Sequence, residues 1–481
     1  MTAHLPRRQT ERRGLRLWPV GPVLALTFTA AILVAAAVFY TGWDLLSARG
    51  LKPEHRIDSK TLFDLVKLSF GVVAGAGALV ALVVAYRRQR VDEDGALREA
   101  TRLHTERSTT AVGQLGDGSP AVRLGGVHAL AGLADDAPTR PLRQTCIDVL
   151  CAYLRLPYTA EPDLPADDAE ARHAYLSLRE VRHTVIRLIR DHLRLAPDDP
   201  HSWQGHDFDL TEVTFDGGDL TGAQFSGGTV DFTGAVFSGG TVHFDGARFS
   251  GGTVNFNLAE FSGGTVAFSE AVFSGGTVNF DRAVFSGGTV NFGHAEFSGG
   301  TVNFERAVFS GGTVGWVGAK FCGGTVGWVG AKFSGSTVNF HLADFSGGTV
   351  NFNLAEFSGG TVGGFAEFSG GTVVWCDARF SGGTVDWVAA VFSGSMVRFD
   401  RAVFFGGTVH FDRAQFSGGT VHFDRAQFFG DTVHFDDARF SGSTVAFSDA
   451  DGGAPTGLVP PNGSPLPTGL TLPRAWYPAS V

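Results

Sequence analysis

From residue 207 to about 451 the chain alternates apolar and polar positions in a short, strict pattern. One phrase recurs: Phe-Ser-Gly-Gly-Thr-Val-x-Phe-x-x-Ala-x, with its first Phe at Phe225, Phe237, Phe249, Phe261, Phe273 and onward to Phe440. The spacing is 12 residues, apart from one 11-residue unit between Phe357 and Phe368. Each unit holds two similar pairs, as in Val230-x-Phe232 and Ala235-x-Phe237. Period-2 alternation puts both members of a pair on one side of a short strand. A unit this short buries that side only by stacking on its neighbours, which predicts a solenoid. The Gly-Gly-Thr segments read as corners, because glycine accepts positive φ without a Cβ clash.

The entry to the run is spaced purely by five: Leu210, Phe215, Leu220 and Phe225 are the large apolar residues, with Phe208, Val213, Gly218 and Ala223 two positions before them. Two five-residue sides plus two corner residues account for the 12-mer. A four-sided coil then takes about 24 residues, and the run makes about ten coils, a rod of roughly 48 Å at ~4.8 Å per strand. The alternative is one 12-mer per coil, thinner and longer. Four sides are preferred, since two Phe per unit crowd a two-sided core. Trp316, Trp328, Trp375 and Trp387 stand where the inward Phe is expected and are assigned to the core. In the 11-residue unit Gly364 takes that place, which predicts a bulge or cavity.

The segment Asp219-Leu220-Thr221-Gly222-Ala223, with a large central residue and a small one two before it, resembles the pentapeptide-repeat family. The resemblance implies a right-handed, four-sided β-helix with one pentapeptide per side. Adding Tyr86–Arg90, Ala121–Val127 and Gln144–Leu150, residues 60–450 resemble a group of actinobacterial membrane proteins with pentapeptide repeats. That resemblance implies no known activity.

Ahead of the repeat the hydropathy pattern changes. A basic stretch, residues 1–16, carries Arg7, Arg8, Arg12, Arg13 and Arg16. Residues 17–43 and 68–86 are uncharged and long enough to cross a bilayer; the first is too long for a signal-peptide core. Basic residues flank their outer ends, so the positive-inside rule predicts a helical hairpin. Residues 44–67 form its external loop, and both termini are cytoplasmic. Gly71-x-x-x-Gly75 reads first as small residues packing the two spans together. Residues 87–200 show helical stripes: Asp94–Leu115, then Val122, Leu124, Val127, Leu130 and Leu133 after the start signal Ser119-Pro120, then Pro141–Leu156 and Ala169–Leu195. The predicted fold is α+β: two transmembrane helices, a small helical region whose last helix covers the first coil, and the solenoid. For the tail, residues 452–481, a cap over the last coil and a flexible end both stand.

Charge separates these regions. The 481-residue chain is at −10 overall, while residues 207–451 hold 25 acidic and 11 basic side chains, a net −14. A basic surface for nucleic acid is therefore lacking on the rod, and no direct nucleic-acid binding is expected. Outward positions repeat as well. Asn255, Asn279 and Asn303 stack one coil apart and read as a structural ladder. His243, His410, His422 and His434 share one slot but lie in a row, not the convergent set a zinc ion needs. Arg401, Arg413 and Arg425 read as surface ion-pair ladders. Cys146, Cys151, Cys322 and Cys376 form no C-x-x-C pair, and His104, His128, His173 and His183 form no catalytic set. GxSxG, Walker and HExxH patterns are missing. No catalytic, cofactor-binding or metal residue is assigned, and no cofactor is expected. The reading is a non-enzymatic scaffold tethered to the lipid bilayer, its acidic rod facing an unidentified protein partner. The alternative is a DNA-mimic modulator of an enzyme such as gyrase, since some pentapeptide-repeat proteins resemble duplex DNA in shape and charge.

Overall fold

The computed structural model describes residues 58–160, 168–430, 432–459 and 465–477, with scattered positions between 25 and 44. The chain divides into two compact units, Met1–Leu103 and His104–Val481.

In the first unit the main element is helix α1, Ser59–Leu115, which continues into the second unit. It takes in the predicted span 68–86 but begins nine residues earlier, inside the predicted loop, and runs on through Arg87–Arg90 without a break. Nothing in that sequence stops a helix: between Ser59 and Leu115 there is no proline, and the charged residues past Tyr86 are good helix formers. One 18-residue window reaches a mean hydropathy of 2.3, and among the described residues this is the one helix long and apolar enough to cross a membrane. Leu68, Phe70 and Leu82 are exposed along it. The other predicted span, 17–43, lies mostly outside the described residues; those described between 25 and 44 are helical.

The second unit opens with three helices, α2 (Pro120–Asp135), α3 (Arg140–Leu154) and α4 (Ala169–Arg194). Pro120 starts α2 as expected, yet the Ser119 side chain makes no cap bond; its backbone N–H donates to Asp117 Oδ1 at 2.7 Å instead. Asp168 does cap α4, accepting from Ala171 N–H at 2.9 Å. The predicted stripes become one core: Val127, Leu130, Ile147, Leu150, Val181, Val185 and Ile189 are buried together with Phe208, Leu210, Phe215 and Leu220 of the first coil. Helix α4 thereby covers the open end of the solenoid, where unpaired strand edges would otherwise face water.

One coil is the run Thr253–Gly276. Face one is Thr253–Phe256, face two Ala259–Phe261, face three Thr265–Phe268 and face four Ala271–Phe273. Each face pairs in parallel with the same face of the next coil, as in Val254↔Val278 and Phe249↔Phe273. Stacked positions are 24 residues apart. Along face one the column runs Phe208, Val230, Val254, Val278, Val302, Val326, Val350, Val373, Val397, Val421, Val445, Leu470, which makes eleven turns. Four sides and 24 residues per coil therefore hold. The predicted ten coils become eleven because the tail supplies another: Leu470 and Thr471 pair with Val445 and Ala446. Trp476 then packs edge-on against Phe428 and Phe447, with its Nε1–H donating to Gly452 O at 2.8 Å.

The core is four columns of stacked aromatic rings. On face one Phe232, Phe256, Phe280, Phe304, Trp328, Phe352, Trp375, Phe399, Phe423 and Phe447 stack with centroids 4.5–5.3 Å apart. That spacing is the strand spacing itself, so flat rings fill the coil height with no void. Opposite columns interlock edge to face, as with Phe244 and Phe256 at 6.0 Å and 83°. All four predicted tryptophans are in this core.

The 11-residue unit is locally distorted. Gly363 and Gly364 adopt φ of 135° and 144°, and Phe365, in place of an inward ring, is exposed. The rings above and below close in: Phe340 and Trp387 approach to 6.0 Å, where two coil heights of ~4.8 Å would separate them by about 10 Å. The larger indole takes up the missing ring's space.

Two corner types alternate. At most wide corners the second glycine is left-handed: Gly264 has φ +65°, and a Cβ there would lie 2.2 Å from Gly240 O of the coil before, whereas Ser336, Ser395 and Ser443 fill that slot in other units without positive φ. At the narrow corner the chain makes a β-turn, with Ala283 N–H donating to Phe280 O at 3.1 Å. Its third residue, Arg282, sits at φ +56°. The same slot holds Leu258, Glu270, Arg306 and Arg401, all left-handed. Gly222, Gly234, Gly246, Gly318 and Gly330 occupy that slot in other units, which is the sequence trace of this strain.

Candidate interaction surface

With the rings inside, everything the solenoid offers to a partner stands on its outward positions and corners. The Asn residues there turn out to work mainly within the coil. Asn279 Nδ2–H donates to Asn255 Oδ1 at 3.0 Å, the ladder expected from their spacing. Asn291, Asn303, Asn339 and Asn351 instead accept from the backbone N–H two residues on, at 2.8–2.9 Å. They hold the narrow corner in an Asx turn.

The histidine slot behaves likewise. His410 and His434 stack at 5.1 Å, but each is already engaged, His410 with Asp412 at 3.0 Å and His434 with Thr456 Oγ1 at 2.7 Å. His422 lies 3.5 Å from Asp424, and His243 is 2.8 Å from Asp245. No group of three His, Cys, Asp or Glu converges on one point among the described residues. Of the three predicted ladder arginines, Arg401 grips Asp377 of the preceding coil through two bonds, at 2.6 and 2.8 Å. For Arg413 and Arg425 no carboxylate lies within ion-pair distance among the described residues. Exposed pairs of this kind contribute little to stability.

A polar cluster that the sequence reading missed joins α4 to the first coil. The Asp216 side chain is buried; Tyr158 and Tyr175 donate to its Oδ2 at 2.6 and 2.7 Å, and His183 Nε2 lies 3.4 Å from Oδ1. Burial alone would raise this carboxyl, but the hydrogen bonds from His183, Tyr158 and Tyr175 outweigh it and hold it at about 2. Beside it Arg182 stacks on Tyr158 at 4.1 Å and donates to Leu154 O and Thr214 O. The available signal was Asp216-Gly217-Gly218, where glycines replace side chains: a Cβ on Gly218 would meet Ile186 Cδ1 at 3.1 Å. A second buried group, His206, donates from Nδ1 to Gln144 Oε1 at 2.9 Å; burial, helped by Arg140 and Arg143, lowers it to about 4.

The cysteines are unpaired. Cys146 and Cys151 are buried in the helical core, and burial pushes their thiols up to about 11 and about 12. Such thiols are poor nucleophiles. Cys146 Sγ and His104 Nε2 are 3.7 Å apart, but both are enclosed.

Four-sided coils, a large ring at the centre of each five-residue side and a small residue two before it define the class of this surface. Residues 210–259 match the family model of pentapeptide repeats, with nine copies. The solenoid is thus a pentapeptide-repeat β-solenoid, a fold used for protein–protein interaction. Comparison of the chain with curated proteins and with solved structures gives no match.

Proposed function

We propose that this protein is a non-enzymatic scaffold, tethered to a lipid bilayer, that presents an acidic rod to a protein partner on the cytoplasmic side. The observation that carries this reading is the solenoid's surface: its charge is net −14, and its His, Cys, Asp and Glu side chains do not converge on one point among the described residues. A rigid surface with fixed charge positions suits recognition. The tether rests on the apolar helix within Leu62–Leu115 and on the paired uncharged spans 17–43 and 68–86. Basic residues beyond both spans favour cytoplasmic termini. The test is a reporter active only in the cytoplasm, fused after Val481, with a second inserted near Pro53. An active C-terminal fusion and an inactive loop fusion are expected. A chain that fractionates as soluble, or an inactive C-terminal fusion, would refute the tethered reading.

The same net −14 favours a second reading, mimicry of duplex DNA toward an enzyme such as gyrase. A supercoiling assay with the purified chain showing no inhibition at micromolar concentration removes it.

A further inference from the structure

The first coil is short at one corner, and α4 lays basic side chains over the gap. Phe215 pairs with Phe237, and Gly218 with Val242. Between these pairs the second coil has four residues, 238–241, while the first has only Asp216 and Gly217. Two of the residues that fill the wide corner in other coils are therefore lacking, and a notch remains against α4. Glycine keeps it open: a Cβ on Gly217 would lie 3.2 Å from the His183 ring and 3.6 Å from Arg179 Nη2. On the helix, Arg179, His183 and Arg187 recur every four residues and so share one face. With Thr241, His243 and Asp219 they line an open cleft of about 320 Å³.

The carboxylates around this cleft are already occupied. Asp216 accepts from Tyr158 and Tyr175, and Asp219 from Arg190 and from Thr221 N–H. Glu180 takes one N–H of Arg187 at 2.9 Å, and Asp245 pairs with His243 Nδ1 at 2.8 Å. The guanidinium donors are not used up. Arg179 Nε is shielded from water and has no hydrogen-bond partner among the described residues; Asp216 Oδ2 lies 3.6 Å from it, too far for a bond. Arg187 bonds Glu180 and Thr184 through Nη2 alone, which leaves the rest of its fork open to the cleft. A shielded donor without an acceptor is costly, so the site calls for an acceptor that the chain does not supply.

We propose that this cleft binds a phosphate monoester of a small polar molecule, such as a sugar phosphate. Guanidinium groups match phosphate oxygens with paired N–H donors, and Arg179 and Arg187 approach from helix positions about 12 Å apart, on either side of His183. The phosphate supplies the acceptor that Arg179 lacks. The cleft is larger than a bare phosphate needs and falls at the small end for ligand sites. Neither Phe, Tyr nor Trp lines it, so a nucleobase finds no broad stacking surface, whereas Thr241, His243 and Asp219 suit ligand hydroxyls. Around the cleft the arginines 179, 182, 187 and 190 balance Asp216, Asp219, Glu180 and Asp245. An anion is thus not repelled here as it is along the acidic rod, and its affinity comes from short contacts rather than from a long-range field. This goes beyond the scaffold reading and does not rest on it: failed binding leaves the scaffold, and a failed topology test leaves the cleft.

The experiment is isothermal titration calorimetry on the purified full chain in detergent, with ribose 5-phosphate, ribose and dioctanoyl phosphatidic acid as probes. Ribose 5-phosphate is expected to bind saturably with a Kd of about 1 mM or tighter, and ribose not at all. R179Q and R187Q should each weaken binding about tenfold or more, R187K should fall between, because it keeps the charge and loses the fork, and R425Q on the rod should change nothing. Circular dichroism melts check each fold; Arg187 is 45% exposed, so R187Q tests the site even where R179Q disturbs the Asp216 cluster. Phosphatidic acid separates the sources of the same chemistry: binding tighter than ribose 5-phosphate, and equally sensitive to R187Q, assigns the cleft to a lipid headgroup, and weaker binding assigns it to a soluble ester. No saturable binding of either phosphate monoester up to about 10 mM overturns the proposal. So does equal binding of ribose, binding indifferent to R187Q, or an equal loss with R425Q.

Discussion

Trp387 gives the sharpest test of how the solenoid absorbs a missing residue. Its indole fills space over two coils, because Gly364 contributes no ring to the column between Phe340 and Trp387. It also packs edge-on against Phe368 at 5.5 Å and Trp375 at 5.9 Å. Trp375 is the natural comparison: it is equally buried, but sits in an unbroken column between Phe352 at 5.2 Å and Phe399 at 4.7 Å. Truncating a buried aromatic to alanine costs about 3–5 kcal/mol, of which about 24 cal/mol per Å³ reflects the cavity left behind. Trp375→Ala opens one coil height and belongs in that range. Trp387→Ala leaves two consecutive positions of the column, 364 and 387, without a ring, so no neighbouring ring remains at stacking distance to close the gap. Its cost is expected at the upper end, about 5 kcal/mol. The assay is amide hydrogen exchange across residues 337–411, which reports local opening where a repeat rod does not unfold as one unit. Protection is expected to fall further, and over more coils, in Trp387→Ala than in Trp375→Ala. Equal losses would refute the argument that Trp387 substitutes for the absent ring.

Gly264→Ala places a Cβ 2.2 Å from Gly240 O at φ +65°, so exchange protection around that corner is expected to collapse, whereas Ser262→Ala should change it little. His206 predicts a pH dependence: its folded value, about 4, lies below the usual ~6.5, so the unfolded state binds the proton first as pH falls. Stability of the junction should therefore decline from about pH 6.5 to about pH 4, by about 3 kcal/mol at most, and His206→Gln should flatten that slope in thermal melts. Trp476→Ala should expose the last coil, lowering exchange protection at residues 445–452 while leaving the first five coils unchanged.

Much of the rod could be read directly from the chain. Strict alternation determines which residues face inward, because side chains alternate across a strand, and two rings per 12-mer favour four sides over two; the 24-residue coil itself is settled only by the pairing of stacked faces. The alternation is why Phe232, Trp316 and Ala235 fall where the pattern puts them. The helical stripes likewise gave α2, α3 and α4 nearly to the residue, and the uncharged run gave the apolar helix. What the pattern could not give depends on contacts between residues distant in sequence. The extra coil needs Leu470 to meet Val445, and nothing local in a Pro- and Gly-rich tail encodes that pairing. The Asp216 cluster draws Tyr158, Tyr175 and His183 from separate segments, so its depressed carboxyl exists only once α4 lies on the first coil. Gly364 announced a missing ring, but whether a cavity followed depended on the size and reach of the next residue in the column. Which exposed side chains share a side is likewise invisible in a linear chain, since Leu342, Phe365, Phe405 and Phe429 border face three only when coils of 24 residues stack in register.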